Sequence, residues 1–321
     1  MNHSHSHSAK EAPKATNRLA LALVLTLAFV GVEALAGVYA NSLALLTDAV
    51  HNLTDGIALA LSWYAMRLTA RPAHAGKTFG YHRSGILVAL VNSTTLALIS
   101  LWIFYEAYQR LLAPPRVDEN ILIAVAAVAF FINAGTAWMV HRGSEKDLNL
   151  RSSFIHLAGD ALSTLGAVLA GLVIKFTGWQ ILDPIVSLLI GILILGNAWG
   201  IMRETVEILL ESTPRDLDMN LLVRDLLSVE GVRDVHDLHV WSITQSTRAL
   251  SAHVLTDDLP MNQCGKIQRE ITGVLLRKYA IAHATLQLEC EKCEGALLYC
   301  DLNAENTHEP KADHPKKDKK H

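Results

Sequence analysis

Two stretches of this chain repeat one spacing: His51-Asn-Leu-Thr-Asp55 and His156-Leu-Ala-Gly-Asp160. Residues i and i+4 share a helix face, so each stretch sets an imidazole beside a carboxylate. Two such pairs facing each other make a His2Asp2 set, the ligand count and type that suit a tetrahedral divalent zinc ion. Both stretches lie inside apolar runs long enough to cross a bilayer. Asp48, Asp55 and Asp160 would each cost roughly 2.5–3.5 kcal/mol at a bilayer centre, about 10 kcal/mol together. A metal or proton pathway accounts for that cost. The plainer alternative, in which each His bonds its own helix partner and aids packing, must find every acid a partner. Asp48 shares the face of Asp55 two turns earlier. It reads equally as a lining of the outward exit, a proton stop or an interfacial acid.

The chemistry of such a set suggests coupling. Zinc needs deprotonated ligands, so binding releases protons and acid competes with metal. Histidine titrates near neutrality. A set that opens alternately to two sides would exchange zinc for protons, and two aspartates would cancel the charge of the dication.

A second group of donors comes late in the chain. His236, His253 and Glu289 fall on neighbouring expected strands, and Cys290-Glu-Lys-Cys293 follows at once. His236 and His239 differ by three, so on a regular strand they point to opposite faces and only one joins a single site. One CxxC supplies only two zinc ligands. The alternatives are satisfied core or surface histidines and a plain thiol pair or redox element. Cys264 and Cys300 read as inert. Glu33 and Asn133, inside apolar runs, are expected to bond neighbouring helices, and Gly196-x-x-x-Gly200 permits close helix packing.

These residues need elements to position them. Six apolar segments stand out, at 19–40, 42–66, 85–105, 120–140, 154–174 and 185–202. About 20 helical residues cover the roughly 30 Å hydrocarbon core. Lys and Arg crowd the loops on one side, with Arg67, Arg71, Lys77, Arg83, Arg142, Lys146, Arg151 and Arg203. The other side has only Arg110, Arg116 and Lys175. The richer side is expected in the cytoplasm with both termini. Asp55 and Asp160 lie at nearly equal distances from the outer ends of their segments. Their carboxylates are therefore expected at one depth, with each histidine a turn away in opposite directions.

Beyond residue 204 the pattern changes. Residues 217–230 read as an amphipathic helix, 232–241 and 249–255 as strands, 261–279 as a helix and 285–289 as a strand. The expected fold class is an α-helical membrane protein of six transmembrane helices followed by a small α+β ferredoxin-like cytosolic domain in αββαβ order. The expected division is 1–17 as a His-containing flexible tail, 18–203 as the membrane domain, 204–300 as a metal-binding and dimerisation domain, and 301–321 as a disordered charged tail. Of the 321 residues, 51% are hydrophobic and 18% charged, which is a membrane composition. The net charge of -3 argues against a nucleic-acid partner. The polar, His-rich start lacks a signal-peptide pattern, so the first apolar run is expected to stay as a span. The four late cysteines are expected in a reducing compartment, which favours metal over disulfides.

The six spans with His-x-x-x-Asp in the second and fifth, together with Val235-His-Asp-Leu-His-Val-Trp241, resemble the cation diffusion facilitator zinc transporters. Ser42-Leu-Ala-Leu-Leu-Thr-Asp-Ala-Val-His51 and Phe79-Gly-Tyr-His-Arg83 are similar to that family's second span and following loop. The resemblance implies a homodimer in a lipid bilayer, proton-antiport efflux of Zn2+ from the cytoplasm, and a metallochaperone-like tail domain. It implies metal ligation by His51, Asp55, His156 and Asp160, and by His236 and His253 in the tail, with Glu289 following in the last strand. It also suggests that His3, His5 and His7 of a partner protomer complete the Cys290 and Cys293 site. A bacterial plasma membrane is the expected location. The chain departs from many members in its short loop at 141–152, which carries only His141. In the loop after the second span, His74 and His82 are not expected to form a metal site.

Competing readings remain in view. One is a broader exporter of cobalt, nickel, cadmium or iron(II). Another is a membrane metal sensor that signals through its tail. An intramembrane metalloenzyme would carry an HExxH or similar motif, and an ATP-driven pump a Walker-type lysine loop; the chain has neither. A non-enzymatic transporter is therefore the expected class.

Overall fold

The computed structural model describes residues 27–144, 148–291 and 297–299. It divides into two compact units, residues 1–206 and 207–321. The first unit holds helices α1 (Leu27–Ala40), α2 (Leu43–Thr69), α3 (Ser84–Leu112), α4 (Glu119–Ser144), α5 (Leu148–Thr177) and the greater part of α6 (Leu182–Leu209). Four of them, α3 to α6, are long and apolar enough to cross a membrane. Large apolar side chains such as Leu98, Phe131, Leu162 and Phe176 stand exposed along them. That is the outer surface expected of helices that face lipid. The helix α2 has 27 residues but carries Asp48, His51, Asn52 and Asp55, which dilute its apolar character. Residues 19–26 of the first expected span lie outside the described residues.

Small side chains let these helices approach. Ala40, Ala44, Ala126 and Ala167 pack with Leu45, Leu122 and Ile174 in one buried cluster. In lipid such close packing replaces the hydrophobic drive available in water. Gly37 of α1 lies so near α2 that a Cβ there would meet Leu46 N at 3.0 Å. The turn between α1 and α2 uses Asn41 at φ 53, a left-handed conformation that asparagine tolerates.

One end of the helical unit is tied across elements. Ser42 caps α2 by accepting from Leu45 N, and it donates to the Asp183 carboxylate of α6 at 2.5 Å. The same carboxylate accepts from Leu43 N at 2.7 Å and Ala44 N at 3.3 Å. These are orphan N–H groups of a helix start, and Asp183 supplies the cap from another helix. Arg110 donates to Asn41 O at 2.7 Å, Asp118 N to Ala40 O at 2.9 Å, and Val117 N to Gln180 Oε1 at 3.0 Å.

The second unit runs α7 (Met219–Leu227), β1 (Val232–Ser242), β2 (Arg248–Thr256), α8 (Met261–Tyr279) and β3 (Ile281–Glu289). The sheet order is β1-β2-β3, with β1 and β2 antiparallel and β2 and β3 parallel. Leu222, Leu226, Val235, Leu238, Leu250, Val254, Ile271, Leu275 and Ile281 fill one core between the sheet and the two helices. Each such aliphatic side chain, fully buried, contributes roughly 1.5–3 kcal/mol. Asp218 starts α7 by accepting from Asn220 N and Leu221 N. Gly231 leads into β1 at φ 91, where any Cβ would strike Ile267 at 2.6 Å.

Candidate metal centres

The helices α2 and α5 bring all four membrane candidates together. His156 Nε2 lies 3.2 Å from Asp55 Oδ2 and 3.6 Å from Asp160 Oδ2. His51 Nε2 lies 3.5 Å from Asp160 Oδ1 and 3.7 Å from Asp55 Oδ2. The two imidazole rings stand edge to face, 5.9 Å apart at 79°. Donors about 2.0–2.2 Å from a tetrahedral zinc ion stand roughly 3.3–3.6 Å from each other. The four nitrogen–oxygen distances lie near that scale; donors of His51, His156 and Asp160 all fall within 4.8 Å of one another, and Asp55 adjoins them through the two imidazoles. Nitrogen and carboxylate oxygen alternate around the set, and its two carboxylates match the charge of one dication.

The contacts run across the two helices more closely than along them. His156 is accordingly closer to Asp55, and His51 closer to Asp160, than to their own i+4 partners. The set is also graded in access. The His156 side chain is 45% exposed and that of Asp55 30%, against 9% for His51 and 14% for Asp160. His51 Nδ1 is buried with no hydrogen-bond partner among the described residues.

Asp48 is not an exposed interfacial acid. It is buried between α1 and α2, where it accepts from the Asn52 amide at 3.2 Å. Glu33 accepts from the same amide at 3.4 Å, so it does bond a neighbouring helix. The Asn133 Nδ2 is buried without a partner among the described residues. In the loop after α2, His74 Nε2 meets the Tyr81 hydroxyl at 3.3 Å and its Nδ1 accepts from Gly76 N.

The second unit gathers the tail candidates on one sheet face. His236 stands directly opposite His253 across the β1–β2 pair. His253 Nδ1 lies 2.8 Å from Glu289 Oε1, and His236 Nε2 lies 3.3 Å from Glu289 Oε2. Both ring nitrogens of His236 are buried without an aligned hydrogen bond, although Nε2 is close to Glu289. An orphaned buried imidazole beside a carboxylate and a second imidazole fits a metal with N and O ligands. Cys290 follows Glu289 and is exposed. Cys293 lies outside the described residues, as do His3, His5 and His7.

The expectation that His236 and His239 face opposite ways fails. The register slips between them, so Asp237 and Leu238 together oppose Ala252. This is a β-bulge, with Asp237 at φ 48. The extra residue resets the alternation: Val235, Leu238 and Val240 enter the core, while His236 and His239 share the other face. The freed Asp237 N and Leu238 N donate to Leu297 O and Leu298 O. Asp237 thereby gains a place in the cluster, 3.4 Å from His253 and 3.1 Å from His239. Its one sequence sign is an Asp at the middle of an expected strand, a position that disfavours it.

Outside the cluster, charge ties the unit together. The Arg248 guanidinium holds the Asp216 carboxyl below its usual range. Lys278 and the Tyr279 hydroxyl do the same for Asp225. Burial, then the hydrogen bond to Asp225, pushes the Tyr279 phenol up to about 12.

Comparison with known proteins gives both units a place. Residues 19–210 match the family model described as the cation efflux transmembrane domain, and residues 214–291 that of the cation efflux protein, cytoplasmic domain. The chain is 36% identical over 294 residues to the "Cadmium, cobalt and zinc/H(+)-K(+) antiporter" of Bacillus subtilis, spanning 91% of this chain and 93% of the relative. It is 37% identical over 311 residues to the zinc transporter ZitB of Pectobacterium atrosepticum, spanning 96% and 94%. A solved structure of the metal-bound C-terminal domain of the CzcD transporter from Cuprividus metallidurans is 30% identical, with a TM-score of 0.21, and covers 23% of this chain and 99% of its own.

Proposed function

The chain belongs to the cation efflux, or cation diffusion facilitator, family of membrane metal transporters, and from that premise we propose that it exports Zn2+ from the cytoplasm in exchange for protons. The observation that carries this reading is the convergence of His51, Asp55, His156 and Asp160, with spacings of 3.2–3.7 Å between nitrogen and oxygen. Zinc is the substrate. It enters a set whose carboxylates neutralise it and whose imidazoles must be unprotonated to receive it. Protons and zinc therefore compete for the same atoms, and alternating access turns that competition into exchange. The more exposed half of the set, His156 and Asp55, lies toward the Lys- and Arg-rich ends of α2 and α5, expected in the cytoplasm.

In the tail, His236, His253 and Glu289 would hold a metal, with Asp237 beside them and Cys290 and Cys293 following. That metal would bind the strands β1, β2 and β3 at one place. The family match to a cytoplasmic domain supports a homodimer joined through this unit in the plasma membrane, with both termini inside. A wider substrate range is a second reading. It is favoured by the Bacillus relative, whose name includes cadmium and cobalt.

Reconstitution tests the proposal. Purified protein in proteoliposomes should move zinc only when a pH gradient is imposed, and reversing the gradient should reverse the flux. Zinc flux that ignores the gradient in both directions would remove proton exchange. Binding without flux would leave the sensor reading in its place.

A further inference from the structure

Glu33 on α1 and Asp48 on α2 form a second buried acidic group that the metal set does not use. Glu33 is fully buried and Asp48 is 3% exposed. Their carboxyl groups are held side by side by one Asn52 amide. Two ionised carboxylates sealed from water at one place repel each other, and a proton on one of them removes that repulsion. The Asn52 Nδ2 lies 3.2 Å from Asp48 Oδ2 and 3.4 Å from Glu33 Oε2. One neutral amide has two N–H donors and cannot offset two buried negative charges. Glu33 Oε1 is sealed from solvent and has no hydrogen-bond partner among the described residues. A bare carboxylate oxygen there would be costly; the oxygen of a neutral acid is far less so. A hard metal cation would want six or more oxygens, and the amide turns its nitrogen toward both acids.

We propose that Glu33 and Asp48 form a proton site of their own, an acid–carboxylate pair that holds one proton between α1 and α2. This inference rests on the proton-exchange reading above and assigns part of the proton traffic to residues outside the metal set. Asp48 precedes His51 on α2, on the side toward the helix start expected outside. The charged or titratable groups that bear on the pair are His51 and Asp160, through Asp48. A dication at His51 and Asp160 favours the doubly ionised pair. Zinc loading therefore breaks the O–H bond of the acid, leaves the electron pair on the carboxylate, and sends the proton to water. Zinc departure lets the pair take a proton back. Metal and proton oppose each other across one helix, as exchange demands.

Infrared spectroscopy of the full-length protein in lipid tests the pair directly. The zinc-free wild type at neutral pH should show the C=O stretch of a buried neutral carboxylic acid, and zinc should bleach it. Glu33→Gln should lose the band and Asp48→Asn should displace it; both mimic the protonated shape. Calorimetric zinc titrations in buffers of different ionisation enthalpy should show Glu33→Gln binding zinc while releasing fewer protons per zinc, by up to one. The proposal is overturned if the wild type lacks the band, if both variants keep it unchanged, or if proton release per zinc is the same with and without Glu33. Failure of proteoliposome exchange would count against the transport reading instead, since the infrared band does not depend on flux.

Discussion

At the scale of single residues, each membrane carboxylate touches both imidazoles, so neither is redundant. Asp55→Ala and Asp160→Ala leave a dication half neutralised in a low-dielectric site. Zinc flux in either variant should fall to that of empty liposomes, while size-exclusion profiles stay those of the wild type. Wild-type flux in either would remove it from the set. His51 contributes a neutral nitrogen, which suits zinc; a third carboxylate admits larger or harder cations. His51→Asp should raise cadmium flux relative to zinc several-fold, and an unchanged metal ranking would place His51 outside the ligand shell. The spacing i, i+4 made all four residues legible in the sequence. Which histidine meets which carboxylate was not legible, because it depends on how far one helix slides along the other. Asp237 was also hidden, since a regular strand would have turned its neighbours the other way.

Among elements, the bulge in β1 carries the most information. It costs Asp237 a left-handed backbone, which Asp and Gly tolerate and a β-branched residue does not. Asp237→Gly should leave thermal unfolding near that of the wild type. Asp237→Val should lose about 1–3 kcal/mol, the range for a strained backbone position. Equal stability of the two variants would show that the bulge relaxes without cost. The pairing of α7 with α8 makes a pH prediction. Tyr279 is kept neutral in the fold up to about 12, against 10.0 ordinarily. Its folded value is raised, so the stability it contributes is complete below about pH 10 and is lost as pH climbs toward 12. The tyrosinate absorbance difference between wild type and Tyr279→Phe should titrate in that upper range. Asp225→Ala should move it down. The αββαβ order of this unit was readable from alternation and turn residues. The segment at 42–66 stood out as a span in the sequence, although the polar residues that define the site keep α2 out of the helices apolar enough to cross a membrane.

For the whole molecule, the division of labour between the units is testable. Cys290→Ser with Cys293→Ser should lower the zinc content of the protein and reduce flux only in part, while Asp55→Ala removes flux outright. A full zinc complement in the double variant would exclude the thiols as ligands. Complete loss of flux from a folded dimer would merge the two roles. The composition announced a membrane protein, but the bonds that clamp one end of its helices came from single polar residues at helix ends and in the turns between them. The Asp183 cap on α2 has a mechanical consequence. With Ser42, Leu43 and Ala44 pinned to α6, and Asn41 held by Arg110, that end of α2 is a fulcrum. At about 1.5 Å of rise per residue, His51 sits roughly 13 Å along the lever and Arg67 roughly 37 Å. Any tilt about the fulcrum sweeps Arg67 nearly three times as far as His51. A displacement of the metal set by a fraction of an ångström thus becomes an ångström-scale stroke at the far tip of the helix.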